Sequence, residues 1–562
     1  MRIRSALAAL GSAVTLSLLA CGRADMTQHE DLPRSNLPGA SAPSQNEGTA
    51  TPPAEPSSPG VTPPTPEPSP PAPEPTPPPQ APSQPVPAPA PPATPPPAPT
   101  PPPAPEFSRI FWVAPGGSDT AEGSQTRPFR TLAKALSLVR PGEAIFLASG
   151  TYTERLRLEE RGGSASKPLT LKAAPGAVPT LKGGTGSSTP MIEVRGAYWR
   201  IDGLTVDVAG DRAFAALWRT QGAHHGVLRN STLKNGTAGA GVDVAEYASD
   251  VLIENNEIHH FQKSGDDSHG VIVQTTARNV VVRGNDIHHN SGDGVQCIGP
   301  EGGATLSGTP FDNLLLEDNE LHENRENGVD IKTCTKVVLR RNTIWGHRRS
   351  SSSGGEGVVV HLSAKDVTLE ENVLRDNGRG ISVGGVRVGA PPTRIVLRRN
   401  LVLDGYNAND NDGVGIRVDT STDVKVQHNT VWNMPGACFY FGGGDTGPSQ
   451  GLDARNNILA GCGQALRAGP GRSGAVVDSN LVYREASAAR FRLDGVEMGL
   501  SEWRTKTGLD RRSVERSPGF SNVANADFTP GPDSAARDTG VALGLPFCGT
   551  APDLGAREAG CP

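Results

Sequence analysis

Charged and imidazole side chains collect in the middle of this chain, each at a fixed place relative to a repeated Gly-Val motif. Asp293, Glu326 and Asp330 are predicted metal ligands, because Ca²⁺ accepts several carboxylate oxygens at once. Lys332 and His361 are predicted catalytic bases, since either can take a proton when its pKa lies near neutrality. Together these groups suit general-base removal of a proton beside an anionic group that a cation neutralises.

Amide and guanidinium groups follow the same pattern and are predicted to bind the substrate. They are Gln274, Gln296, Arg379 and Arg417. Each stands beside the apolar residues of a short Gly-Val/Ile strand, whose side chains alternate between inward and outward directions. Adjacent strands lie ~4.8 Å apart, about the span of one sugar unit, so an outward row of such groups can bind a polysaccharide chain.

Two repeated motifs predict the elements that position these residues. The triplet Asn-x-Ile/Leu/Val recurs at intervals of roughly 23 to 34 residues, a period typical of solenoids. The motif Gly-Val/Ile-x-Val/Ile/Cys indicates short strands bounded by turns. No period can bury its apolar residues alone, so the periods should stack around one core. The triplets begin at Asn256, Asn285, Asn319, Asn342, Asn372, Asn400, Asn429, Asn456 and Asn480, and the second motifs at Gly241, Gly270, Gly294, Gly328, Gly357, Gly380 and Gly415.

Composition divides the chain into unlike segments. The first has Arg2 and Arg4 before an apolar stretch, as export signals do. It ends Leu18-Leu19-Ala20-Cys21, which resembles the lipobox of bacterial lipoproteins, so Cys21 is the predicted lipidation site. The Pro-rich part that follows cannot pack a core and should form an extended tether. The predicted segments are 1–20 (lipoprotein-type signal peptide), 21–106 (disordered tether), 107–168 (N-terminal cap and first coils), 169–485 (β-solenoid) and 486–562 (C-terminal cap and tail).

The chain has seven cysteines, and export permits disulfides among the six other than Cys21. Cys297 stands at an inward strand position, where it is either a buried apolar residue or half of a bridge to Cys334. No local Cys/His spacing typical of zinc sites is present, so zinc is not expected. The two predicted disulfides are Cys438–Cys462, about one coil apart, and Cys548–Cys561, in the tail.

The entry segment, the Asn ladder and the Gly-Val-x-Val strands resemble right-handed parallel β-helix proteins, nearest the calcium-dependent pectate lyases of the ninth polysaccharide lyase family. The resemblance spans roughly residues 108–560 and includes the tail motif Pro552-Asp553-Leu554-Gly555-Ala556-Arg557-Glu558. It implies an all-β fold, a right-handed parallel β-helix of about ten or more coils, with a short capping helix near 130–140. It also implies calcium at Asp293 and at the run Glu326-Asn327-Gly328-Val329-Asp330, and a lysine base one coil later. This chain has no lysine there, so Lys332 or His361 would take its place.

These observations predict a surface-anchored protein that engages an acidic polysaccharide, as a calcium-assisted β-eliminating lyase. The alternatives are a non-catalytic carbohydrate-binding or envelope-structural β-helix, and a glycoside hydrolase using carboxylates at Asp266, Asp267 and Asp293. Nucleic acid is not an expected partner, because the net charge is −6 and no basic run occurs. The chain is expected to be a monomer, held by its lipid anchor to the bacterial cell envelope, at the outer membrane or the cell surface.

Overall fold

The structure is a computed structural model, and it describes residues 107–159, 161–298, 309–385, 390–406, 413–444, 447–485 and 487–561. The predicted signal peptide, the lipidation site Cys21 and the Pro-rich tether lie outside the described residues. Within the described part, stacked strands form three long parallel sheets, which we call sheet 1, sheet 2 and sheet 3. This arrangement is a parallel β-helix, as the repeated motifs predict.

Sheet 1 carries the first strand of the fold and is formed largely by the run of β-branched and leucine residues that precedes each Asn triplet. Its strands within the described residues are Ile110–Val113, Ala144–Leu147, Leu169–Ala173, Trp199–Asp202, Val227–Arg229, Ser249–Glu254, Arg278–Arg283, Asp312–Glu317, Thr335–Arg340, Lys365–Glu370, Thr393–Arg398, Thr422–Gln427, Ser449–Gln450, Asp453–Arg455, Arg472–Ser473 and Val476–Asp478.

Sheet 2 contains the Gly-Val-x-Val motifs and therefore positions the predicted site residues. Its strands within the described residues are Leu156–Leu158, Ile192–Val194, Ala216–Trp218, Ala240–Val244, His269–Val273, Val295–Cys297, Val329–Ile331, Glu356–Val360, Arg379–Val383, Val414–Val418, Ala437–Phe441, Gln464–Ala468, Phe491–Leu493 and Val496–Met498. The last two pair antiparallel, and the others pair parallel.

From Glu257–His259 to Leu481–Tyr483, each strand of sheet 3 begins directly after an asparagine of the ladder. Its strands within the described residues are Gly150–Tyr152, Pro179–Lys182, Thr205–Asp207, Thr232–Lys234, Glu257–His259, Asp286–His288, Glu320–His322, Thr343–Trp345, Val373–Arg375, Leu401–Leu403, Thr430–Trp432, Ile458–Ala460, Leu481–Tyr483 and Val514–Glu515. The remaining elements are the helices Leu132–Leu138 and Leu500–Thr507, a short 3₁₀ turn at Val523–Asn525 and a hairpin of Phe520–Asn522 with Asp527–Pro530.

Hydrophobic ladders form the interior of the coil. On sheet 2 the first apolar residue of each motif lies directly above its equivalent in the next coil. These residues are fully buried, so each coil completes a core that its neighbours need. The ladder consists of Val242, Val271, Val295, Val329 and Val358.

Asparagine side chains join the coils at the turn between sheets 1 and 3. Asn342 is typical, because its Nδ2 donates to Leu316 O at 3.0 Å and to Asn372 Oδ1 at 2.9 Å. The same Oδ1 accepts the backbone N–H of Asn342 at 3.0 Å. Each asparagine thus satisfies buried backbone groups of two coils. The ladder residues are Asn256, Asn285, Asn319, Asn342, Asn372, Asn400, Asn429, Asn457 and Asn480.

One predicted ladder position is wrong by a single residue. Asn429 donates from its backbone to Oδ1 of Asn457, not of Asn456. Asn456 has a left-handed backbone with φ 59°, and its Nδ2 lies 2.9 Å from Nε2 of His428 and 2.7 Å from the carbonyl oxygen of Val541. The second asparagine of the doublet therefore joins the ladder, while the first anchors the C-terminal tail.

Both ends of the stack are covered. The helix Leu132–Leu138 begins at Thr131, whose side chain accepts from Lys134 N, and it buries Leu132 and Ala135 against the first coil. This is the capping helix that the sequence predicts. At the other end the antiparallel pair of sheet 2 lies beside the second helix, with Trp503 fully buried. Neither described helix has the length and apolarity needed to cross a bilayer.

Three disulfides link the described cysteines. Cys438–Cys462 and Cys548–Cys561 are the two predicted bridges. Cys297 is bonded to Cys334, the bridge that the sequence leaves open as one of two alternatives. Cys297 also lies in the core with no exposed surface, so its position is both buried and bridged.

Candidate active site

The residues between the two apolar positions of each Gly-Val motif form a column along sheet 2, as the sequence predicts. Cross-coil pairing places each member beside the next, as the motif register predicts. Most of its polar members are nevertheless buried, and some contact side chains outside the column, such as Gln296 with Asp293 and Asp330 with His361. The column is thus a mostly buried polar row, which we call the groove, rather than an open ridge. Its residues are Asp243, Ile272, Gln296, Asp330, Val359, Ser382 and Arg417.

Asp330 lies in the middle of this column, with an imidazole and an ammonium group beside it. His361 Nε2 is 2.8 Å from Asp330 Oδ1, and Lys332 Nζ is 4.0 Å from Oδ2. Burial alone would raise the pKa of Asp330, but the charges of His361 and Lys332 and the hydrogen bond of His361 lower it overall. Asp330 therefore stays ionised and holds both side chains, which keep 26% and 18% of their surface exposed.

Asp293 lies one coil away and has no exposed surface. Its Oδ1 accepts from Asn327 N at 3.1 Å and Asn327 Nδ2 at 2.8 Å, and its Oδ2 accepts from Gln296 Nε2 at 3.0 Å. His269 Nδ1 is 2.8 Å from the backbone nitrogen of Asp293 and 3.1 Å from Oδ2. One nitrogen cannot accept and donate at once, so the protonation state of His269 selects between these contacts.

The ionisation of His269 follows from its surroundings. Burial alone would lower the pKa of the imidazole, but the hydrogen bond to Asp293 and the charges of Asp293 and Glu326 raise it overall. A protonated His269 then donates to Asp293 Oδ2, and the pair becomes a buried ion pair beneath the groove.

Glu326 differs from the other acidic residues of the site. It is 7% exposed and accepts a hydrogen bond from the hydroxyl of Ser352. Burial and the nearby charge of Asp293 raise its pKa to about 8, although the bond from Ser352 opposes the shift. Glu326 is therefore mainly a neutral carboxylic acid at neutral pH and can donate a proton.

The predicted calcium ligands already have protein partners in the structure. Both oxygens of Asp293 accept protein hydrogen bonds, Glu326 accepts one from Ser352, and Asp330 contacts His361 and Lys332. Among the described residues, these three do not belong to a cluster whose ligand atoms all lie within 4.8 Å of one another. Calcium binding therefore stays a prediction from the sequence alone.

The two glutamines predicted to bind substrate hold neighbouring carboxylates in the structure. Gln274 Nε2 donates to Asp243 Oδ2 at 2.7 Å, and Gln296 Nε2 donates to Asp293 as described. Gln296 is buried, whereas Gln274 keeps part of its surface exposed. Gln274 is thus the better placed of the two to meet a ligand, and both roles stay predictions.

The two predicted arginines lie further along the groove. Arg379 Nη1 donates to Glu356 Oε1 at 2.8 Å, and Arg417 Nε donates to Asp419 Oδ2 at 2.6 Å. The guanidinium of Arg417 also lies 5.0 Å from the ring centroid of Tyr440. Tyr440 is absent from the sequence prediction, because its strand lacks the Gly-Val motif, although its place in the repeat order indicates pairing with Arg417.

A buried carboxyl, Asp243, ends the groove on its N-terminal side. Its Oδ1 has no hydrogen-bond partner among the described residues. Burial raises the pKa of Asp243 to about 7, against the opposing hydrogen bond from Gln274 and with a further contribution from the charge of Glu246. The folded chain therefore retains a proton here over a pH range in which an exposed aspartate has lost it.

This proton predicts a dependence of stability on pH. Between the ordinary pKa of 3.8 and about 7, the folded state binds a proton that the unfolded state releases, so the free energy of unfolding falls as pH rises. We expect Asp243→Asn to remove this contribution, which urea midpoints measured from about pH 5 to about pH 8 will show as a flatter profile. Parallel profiles for the two proteins would contradict the prediction.

Family models match most of the coil. Residues 111–333 match the model described as "Pel9A-like, right handed beta helix region", and residues 309–482 match the "Right handed beta helix region" model. The chain is therefore a right-handed parallel β-helix protein. The similarity to the Pel9A-like model is confined to residues 111–333.

Two curated relatives share much of this chain. Protein YwoF of Bacillus subtilis (strain 168) is 25% identical over 469 residues, which cover 76% of this chain and 92% of that protein. Pectate lyase PEL9 of Emericella nidulans is 23% identical over 359 residues, 59% of this chain and 75% of that protein. Among solved structures, pectate lyase Pel9A is 18% identical with a TM-score of 0.41, covering 81% of this chain and 97% of its own.

Proposed function

We propose that this chain cleaves an acidic polysaccharide by β-elimination in the groove of sheet 2. The observation that carries the proposal is the contact of His361 with Asp330 at 2.8 Å, with Lys332 beside them. A partly exposed imidazole oriented by an ionised carboxylate is a general base with a fixed tautomer. The similarity to a curated pectate lyase supports a uronic-acid polymer as the substrate class.

Each group has a defined part in the reaction. When Nε2 of His361 carries the proton and donates to Asp330, Nδ1 is the nitrogen that accepts the C5 proton. The C5–H electron pair forms the C4=C5 double bond, and the C4–O bond breaks. The leaving oxygen takes a proton from water. Lys332 pairs with the uronate carboxylate, which acidifies the C5 proton and stabilises charge developing in the transition state.

Glu326 supports a second candidate function, glycoside hydrolysis. A carboxyl with a pKa of about 8 is protonated at neutral pH and can protonate a glycosidic oxygen, as the acid of a hydrolase does. Hydrolysis adds water and forms no double bond, so its products differ from those of elimination in their ultraviolet absorbance.

The remaining parts of the proposal rest on the sequence. We propose lipidation of Cys21 and an extended Pro-rich tether that holds the β-helix away from a membrane of the bacterial envelope. A chain placed in this way would meet polysaccharide outside the cytoplasm, as a monomer. Calcium assistance by Asp293, Glu326 and Asp330 remains part of the proposal.

The test is a substrate panel. The purified chain is incubated with polymers of galacturonate, guluronate, mannuronate and glucuronate, each with calcium and with a chelator, and absorbance near ~235 nm is followed. Elimination predicts rising absorbance on at least one polymer. New reducing ends without absorbance would indicate hydrolysis instead. Binding with neither signal would favour the carbohydrate-binding alternative.

A further inference from the structure

A column of stacked imidazoles lies on the outer face of sheet 3. The rings of His259 and His288 are 5.0 Å apart between centroids, those of His288 and His322 are 4.7 Å apart, and both pairs are nearly parallel. Strand pairing fixes the column, because these histidines are direct partners in successive coils. Trp345 ends it, 4.3 Å from the ring of His322 and parallel to it.

A second row runs beside the first. His260 and His289 follow the strand histidines directly and have left-handed backbones with φ near 56° and 54°. This conformation turns each ring towards its neighbour, so Nδ1 of His259 lies 2.6 Å from Nδ1 of His260, and the next pair is 2.7 Å apart. Two imidazole nitrogens at this distance share one proton, which a cation can replace.

Carboxylates complete the pattern. His322 Nε2 is 3.0 Å from Asp286 Oδ1, and its Nδ1 is 3.1 Å from Glu323 Oε2. Three ligand sets result, each with its ligand atoms within 4.8 Å of one another. The sets are His259–His260–His288, Asp286–His288–His322 and His289–His322–Glu323.

We propose that this histidine stripe binds a divalent transition-metal ion of the Zn²⁺, Ni²⁺ or Cu²⁺ class. Imidazole with one carboxylate is the donor set that these ions prefer, whereas Ca²⁺ and Mg²⁺ prefer oxygen alone. The middle set shares His288 with the first set and His322 with the third, so it excludes both when occupied, whereas the first and third sets can be filled together. The stripe belongs to sheet 3, whereas the groove proposed for catalysis belongs to sheet 2, so the two sites are separate.

A cleft gives ions in solution access to the stripe. His289 and Glu323 line a cleft of about 490 Å³ that opens beside the stripe. An ion from solution therefore has a route to the third ligand set.

The sequence does not show this site as a zinc motif. Zinc spacings are recognised over a few residues, but here the ligands lie about one coil apart in sequence. The only local signal is the His-His doublet, at His259-His260 and again at His288-His289. The pairing of strands in sheet 3 brings the doublets together.

The test is metal binding by the full chain, purified without a polyhistidine tag. Equilibrium dialysis against Zn²⁺ should give one or two ions per chain, because two of the three sets can be filled together. The double variant His288→Gln/His322→Gln removes a ligand from every set and should weaken binding at least about tenfold. The matched control is His224→Gln/His225→Gln, a doublet with an Nδ1–Nδ1 distance of 2.8 Å that belongs to none of the three sets. It should change binding by less than about twofold.

Trp345 locates the ion independently. Cu²⁺ bound beside His322 should quench the fluorescence of Trp345, and Trp345→Phe should remove most of that quenching while dialysis still shows binding. Urea midpoints equal to that of the unaltered chain would show that the variants fold. Equal Zn²⁺ binding by the unaltered chain and the His288/His322 variant would overturn the proposal, as would quenching that Trp345→Phe leaves unchanged.

Discussion

Replacing His361 by glutamine should reduce the turnover of a cleaved uronic-acid polymer by about 10² to 10⁴-fold, the contribution typical of a general base. Glutamine can still donate a hydrogen bond to Asp330, so the groove should keep its structure while losing the group that accepts the C5 proton. Initial rates of absorbance increase near ~235 nm give the turnover number directly. The Michaelis constant should change little, because the substrate carboxylate pairs with Lys332.

Two further variants make this result specific. His225→Gln changes a partly exposed histidine outside the groove and should leave the rate within about twofold of the unaltered chain. Asp330→Asn retains the size of the side chain but removes the charge that fixes the tautomer of His361, so it should lower turnover and move the pH profile. Full activity of His361→Gln would assign the base to another residue, with Lys332 the next to test.

Replacing Asn372 by alanine should lower the free energy of unfolding by on the order of 3 kcal/mol or more, because several buried polar groups lose their partners. Its Oδ1 accepts both the backbone N–H and Nδ2 of Asn342, and its own Nδ2 donates to Leu339 O and to Asn400 Oδ1. None of these groups can reach water, since Asn372 has no exposed surface. Urea unfolding at fixed pH measures the loss.

The matched control is Asn525→Ala, at an exposed asparagine of the C-terminal region, which should change stability by less than about 0.5 kcal/mol. A stack of coils can open locally, so amide hydrogen exchange of the coils on either side of Asn372 should accompany the urea experiment. Faster exchange confined to those coils would place the damage at the ladder. Equal losses in the two variants would contradict the role assigned to Asn372.

The fold is accessible from the sequence because its determinants are local and repeated. The same local signals recur from coil to coil: valines at alternate positions, a glycine before the strand and an asparagine at the turn. A residue assigned wrongly in one coil therefore does not change the predicted fold. The exception is informative, because the doublet Asn456-Asn457 fits the triplet in two registers one residue apart. Only pairing with the next coil, through Asn429, decides between them.

The site is less accessible for a physical reason. Alternation along a strand correctly gives the outward direction of Asp330 and Gln296, but it says nothing about what covers them. Contacts with other coils decide this: Ser352 reaches Glu326, burial and the charge of Asp293 raise the pKa of Glu326, and Asp293 has no exposed surface. The histidine stripe is hidden differently, since its members are far apart in sequence and meet only through the stacking of coils.

The covered ends of the coil stack bear on how the protein behaves at high local concentration. Parallel strands that present open backbone groups can template further copies, and ~4.8 Å stacking of this kind builds fibres. Here the helix Leu132–Leu138 lies over the first coil, and the strand Val496–Met498 runs against the direction of its neighbours. An incoming copy would meet the helix at one end and, at the edge of sheet 2, a reversed hydrogen-bond pattern at the other. Both features oppose end-to-end elongation of the stack.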